Sequence, residues 1–108
     1  MKDVSTLIDR LKQFEKNTTR VRKLFYFLRD REESSFMDDD EMAALISRVL
    51  TELDIDFRYK LVGPRAGHEF NGMFVQVLLD GYWTAIDPAY TVKFGQERPY
   101  LISEIRLE

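Results

Sequence analysis

"MDDDEMAALISRVLTELDIDFRYKLV", residues 37–62, changes its hydrophobic period part-way along. Met42, Leu45, Ile46, Val49, Leu50 and Leu53 recur at i, i+3, i+4, i+7, i+8 and i+11, the spacing of one apolar helix face. From Phe57 the period becomes two: Phe57, Tyr59 and Leu61 alternate with Arg58 and Lys60, which predicts a half-exposed strand. The helix opens on four consecutive carboxylates, Asp38, Asp39, Asp40 and Glu41. Acidic side chains in a first turn complement the helix dipole, and Asp38 with Glu41 has the spacing of a capping box.

Working outward, the chain upstream is helical in pattern and the chain downstream is not. Val4, Leu7, Ile8, Leu11 and Phe14 form one apolar stripe, and Val21, Leu24, Phe25 and Leu28 form another. Asn17-Thr18-Thr19 interrupts them and offers a fresh N-cap, and Tyr26 and Phe27 widen the second stripe. One bent helix and two separate ones fit equally well. Downstream, "GPRAGHEFNG" (63–72) is loop chemistry, and "MFVQVLLDGYWTAI" (73–86) reads as two strands around Asp80-Gly81, a pair suited to a type I′ turn. "DPAYTVKFGQERP" (87–99) reads as a loop and "YLISEIRLE" (100–108) as an edge strand. The fold class expected is α+β: N-terminal helices (1–33) packed on a small antiparallel sheet of three or four strands.

Composition narrows the function classes. The 108 residues fit one domain, of which 44% are hydrophobic and 32% charged. Residues 1–33 carry nine Lys/Arg against six Asp/Glu, whereas residues 34–108 carry seven against thirteen. The acidic larger part argues against nucleic acid as a partner, because phosphates would be repelled. Cysteine is absent, which removes disulfides, thiolate metal sites and a thiol nucleophile. "MKDVSTLIDRLKQF" (1–14) is charged where a signal peptide is apolar, and no apolar run approaches the roughly 20 residues of a membrane span. An intracellular protein without membrane association is expected, with no cofactor.

The order of motifs between residues 37 and 90 resembles the transglutaminase-like branch of the papain-like thiol fold, in the short versions found in bacteria and their phages. In that family G-D-C-D-[DE]-x-A opens a helix that runs into L-G-I-x-x-R. H-x-[WF]-V-[EQ]-V follows, then G-x-W-x-x-x-D-P-[TA]. Asp38, Asp40, Glu41 and Ala43 match the first motif, and Leu53, Ile55 and Arg58 match the second, with Asp54 where the family has glycine. Phe74, Val75, Gln76 and Val77 match the third, and Gly81, Trp83, Asp87 and Pro88 the fourth. On this alignment the family's nucleophile falls on Asp39, its histidine on Gly72, and its aspartate on Asp87.

The resemblance therefore implies a vestigial triad. A thiol at a helix N-terminus is activated by the dipole and a neighbouring imidazole. A carboxylate at Asp39 is a poor acyl acceptor, Gly72 supplies no base, and Asp87 has no imidazole to orient. Thioester chemistry is excluded, and the expectation is a pseudoenzyme: a structural or protein-interaction module, with a protein partner or self-assembly, in the cytoplasm or in a phage particle assembled there. Two alternatives remain. Asp39 and Asp87, facing each other, are weak candidates to hold a cation or other ligand. A rebuilt hydrolase site would need His68 beside Asp87 with Ser34 or Ser35 as nucleophile. Trp83 is expected to fill core between sheet and helix, and Tyr59, Tyr82, Tyr90 and Tyr100 are surface-anchor candidates.

Overall fold

A computed structural model describes residues 4–30, 37–64 and 69–107. Among these residues three helices precede a four-stranded antiparallel sheet: α1 (Val4–Lys12), α2 (Asn17–Asp30), α3 (Asp39–Glu52), β1 (Phe57–Gly63), β2 (Gly72–Leu79), β3 (Tyr82–Ile86) and β4 (Ile102–Arg106). The strand order is β3-β2-β1-β4. This is the α+β class expected, with β4 as an edge strand.

The two N-terminal stripes are separate helices. Arg20, in the first turn of α2, explains the sharp break between them. Its Nε donates to the Phe14 carbonyl at 2.6 Å and its Nη2 to the Lys12 carbonyl at 3.2 Å, satisfying acceptors that the end of α1 leaves open. Phe14 consequently lies beyond α1 and is 36% exposed, rather than completing the stripe. On α2, Val21, Leu24, Phe25 and Leu28 are fully buried, Phe27 packs partly on the core, and Tyr26 is exposed. Thr18 Oγ1 reaches Asp80 Oδ2 at the turn before β3, while Arg29 reaches the carbonyls of Asp87 and Tyr90 beyond its end. α2 thus runs alongside β3 in the same direction.

α3 keeps its expected face with one exception: Met42, Ile46, Val49, Leu50 and Leu53 are buried, Leu45 is only partly buried, and Ala43 joins the core instead. It ends in a paired cap, with Ile55 N–H donating to the Leu50 carbonyl and Asp54 N–H to the Thr51 carbonyl. That geometry puts Asp54 at φ 57°, a left-handed position that favours glycine. The β2–β3 hairpin turns on Asp80 (φ 51°) and Gly81 (φ 85°), both positive as a type I′ turn requires. Val75, Val77, Leu79 and Ile86 face the helices and close the main core.

The opposite sheet face departs from expectation. Residues 87–101 must carry the chain from β3 at one edge to β4 at the other. They bridge Gly95 to Ala85 outside β3, then cross the face away from the helices. Arg58 and Lys60 therefore lie in a covered polar layer rather than in solvent. Trp83 is not core between sheet and helix: strand alternation turns it to this far face, 39% exposed, with the Arg58 guanidinium 4.1 Å from its ring centroid.

Candidate functional site

The acidic tetrad divides its labour by position along the first turn of α3. Asp38 is the N-cap: its Oδ1 accepts from Glu41 N–H at 2.8 Å, and Glu41 Oε1 accepts from Asp38 N–H at 3.3 Å. The capping box read from spacing is present. Asp40 is exposed. Asp39 alone turns toward the sheet. Its Oδ2 accepts from Met73 N–H at 3.1 Å, a donor at the end of β2 that extends past the last paired residue of β3.

Asp87 follows β3 directly and is 2% exposed. Between it and Asp39 lies the guanidinium of Arg98, from the crossing segment. Nε and Nη2 donate to the two Asp87 oxygens at 2.7 and 2.6 Å, and Nη1 and Nη2 donate to the two Asp39 oxygens at 2.8 and 3.1 Å. Each carboxylate is thus held by a two-point contact, which the planar fork of arginine allows and an ammonium does not. Tyr90 stands 4.9 Å from the guanidinium carbon. Arg29, by holding the Asp87 and Tyr90 carbonyls, fixes the loop that presents them.

Gly72 makes the space. A Cβ there would stand 3.0 Å from Arg98 Nη1, 3.2 Å from Val62 Cγ2 and 3.3 Å from Asp39 Oδ2. Asp39, Gly72 and Asp87, the three positions singled out in the sequence, meet around one arginine. Outside it is a recess of about 210 Å³ bordered by Val62, Gly63, Asn71, Tyr90 and Tyr100.

The electrostatics follow from burial and pairing. Burial works against the Arg98 charge, but the hydrogen bonds and charges of Asp87 and Asp39 outweigh it and raise its pKa above the ordinary value. Burial pushes the Asp87 carboxyl up; the Arg98 hydrogen bonds and charge pull it back without cancelling the rise, and the Asp39 charge adds to it. Arg98 occupies the place that a bound cation between the two weak metal candidates, Asp39 and Asp87, would need. Among the described residues no group of three or more His, Asp or Glu side chains is arranged to hold a metal ion.

A second polar cluster sits on the far sheet face. Glu97 accepts from Lys60 Nζ, Gln76 Nε2 and Tyr100 Oη, each at 2.9 Å, and Arg58 Nε donates to Gln76 Oε1 at 2.7 Å. Burial raises the Glu97 carboxyl, but the hydrogen bonds from Lys60 and Tyr100 outweigh it and set it below the usual range. Of the tyrosines, Tyr82 and Tyr90 are exposed, Tyr59 packs on the core and Tyr100 serves this cluster.

His68, Ser34 and Ser35, the rebuilt-hydrolase residues, lie outside the described residues. The residue that sequence reasoning missed is Arg98. It sits in a segment without periodicity and pairs with a carboxylate 59 positions away; its only signal was two acidic positions left without a base. Neither a family model, a curated protein nor a solved structure matches the chain.

Proposed function

We propose that this chain is a non-catalytic, transglutaminase-like domain that works as a structural or protein-interaction module. The observation that carries the reading is the Arg98 guanidinium between Asp39 and Asp87. At the three positions where the resemblance expects nucleophile, base and orienting carboxylate, this chain holds Asp39, Gly72 and Asp87, and the Arg98 cation bridges the two carboxylates. Every strong hydrogen-bonding group there is engaged with another group of the same chain. Neither carboxylate is free to act as a general base on a substrate, and no thiol is present to accept an acyl group. The left-handed Asp54, where the family motif has glycine, fits the resemblance, as it fits any helix that ends in a left-handed cap.

Two experiments test the two halves of this reading. Wild-type protein incubated with p-nitrophenyl esters, peptide amides and glutaminyl peptide plus amine is expected to show no turnover above buffer. Turnover that Asp87→Asn abolishes would overturn the non-catalytic half. For the resemblance, the triple variant Asp39→Cys/Gly72→His/Arg98→Ala removes the guanidinium, which vacates room for the imidazole. Its thiol is expected to alkylate faster at neutral pH than that of Asp39→Cys/Arg98→Ala, because a neighbouring imidazole favours the thiolate. Equal rates and equal pH profiles in the two variants would reject a transglutaminase-like arrangement.

A further inference from the structure

The outer edge of β4 carries a self-complementary pattern. We propose that two copies of this chain associate through antiparallel pairing of β4 with β4, centred on Ile105, joining two four-stranded sheets into one of eight strands. This surface is separate from the Arg98 cluster, and the inference stands whether or not that cluster is catalytic.

The hydrogen-bond parity comes first. Leu78 N–H donates to the Asp56 carbonyl, and that pair falls in the β1–β2 register that places Phe57 opposite Val77. In an antiparallel ladder, bonded and non-bonded pairs alternate. Arg58 and Lys60 therefore bond toward β2, and Tyr59 and Leu61 bond toward β4, where they face Arg106 and Glu104. Ser103 and Ile105 then direct their N–H and C=O groups outward, and among the described residues no strand pairs with them. Leu101, Ile105 and Leu107 are also exposed, at 72%, 39% and 74%.

Charge then selects the register. Outward-bonding residues must meet outward-bonding residues, so a two-fold pair can be centred on Ser103, between Ser103 and Ile105, or on Ile105. The middle choice puts Glu104 opposite Glu104 of the other copy, a like-charge contact. Centring on Ser103 sets Glu104 against Ile102 and leaves Arg106 without an acidic partner on the other strand. Centring on Ile105 sets Glu104 against Arg106 twice, in non-bonded pairs, where side chains stand closest. It also joins Ile105 to Ile105 and Leu107 to Ser103. Charged residues on a short edge strand commonly discourage pairing. Here opposite charges two positions apart make the strand complementary to itself. In the single chain, Glu104 and Arg106 pair with each other among the described residues, 3.0 Å apart and about half exposed.

Sedimentation equilibrium of the full chain across a concentration series tests this. Wild-type protein is expected to show a reversible monomer–dimer equilibrium. Glu104→Lys, which sets Lys against Arg106 of the other copy, is expected to weaken it at least about tenfold. The swap Glu104→Arg/Arg106→Glu is expected to restore it. Because both side chains are solvent-exposed, the variants are expected to melt with the wild type at concentrations low enough for every protein to be monomeric, where association adds nothing to the melting temperature; that comparison separates lost association from lost folding. A wild-type monomer at every concentration overturns the proposal. So does a dimer indifferent to Glu104→Lys, which would place self-association on another surface.

Discussion

At Gly72 two opposite tendencies meet. Glycine in a strand costs backbone entropy, so replacing it with alanine normally stabilises by about 0.4–1 kcal/mol. Here the added Cβ would press on Arg98 Nη1 at 3.0 Å, and the guanidinium is tied by four hydrogen bonds to two carboxylates. It has no slack to yield. Gly72→Ala is expected to destabilise the wild type by about 1 kcal/mol or more through overcrowding. In an Arg98→Ala background, where the nearest crowding atom is gone and Val62 Cγ2 at 3.2 Å and Asp39 Oδ2 at 3.3 Å remain, the same change is expected to cost less. Urea unfolding of the four proteins reads the difference; destabilisation of equal size in both backgrounds would show that Gly72 serves something other than room for Arg98.

The elements were legible where their signals are local. Six apolar residues at helical spacing announced α3, and Asp80-Gly81 announced a hairpin whose φ values are both positive. The capping box could be read from Asp38 and Glu41 because three positions separate them and one helical turn joins them. The exit of α3 departs from the easy choice: Asp54 holds a left-handed conformation in which an L side chain is strained. Asp54→Gly is expected to raise stability by about 1 kcal/mol, seen as a higher urea midpoint with an unchanged m-value. Loss of stability would mean that the Asp54 side chain contributes more than its strain costs.

At the scale of the whole molecule, the crossing segment 87–101 joins the two clusters, and this is where sequence reasoning fell short. Arg98 and Glu97 are adjacent in sequence yet serve different sites, Arg98 the N-terminus of α3 and Glu97 the far sheet face. No periodicity marks such residues, because their partners come from elements that only folding brings near. Trp83 was misplaced for a related reason: its strand was recognised, but which face the crossing segment would leave open was not visible. The Glu97 carboxyl lies below the ordinary value of 4.5, so its contribution is present above that value and is lost as pH falls through its folded one. Asp87 has the opposite sign: raised above 3.8, it contributes at pH below that value and loses its contribution as pH rises through its folded one. Comparing wild type with Glu97→Gln cancels the Asp87 term. The variant is expected to lose less stability on acidification below about pH 4.5; parallel profiles would remove Glu97 from the account.

Arg98 binds Asp87 and Asp39 into one closed cluster, and a double-mutant cycle on Arg98→Met and Asp87→Asn measures that coupling. Removing either partner leaves the other buried without its counterpart, and each single change is expected to cost about 3–5 kcal/mol. The double variant is expected to cost less than the sum of the two, by a coupling of about 2 kcal/mol or more in urea unfolding at neutral pH. Additive single effects would mean that the guanidinium does not bind Asp87 in solution, and the site would have to be regarded as open.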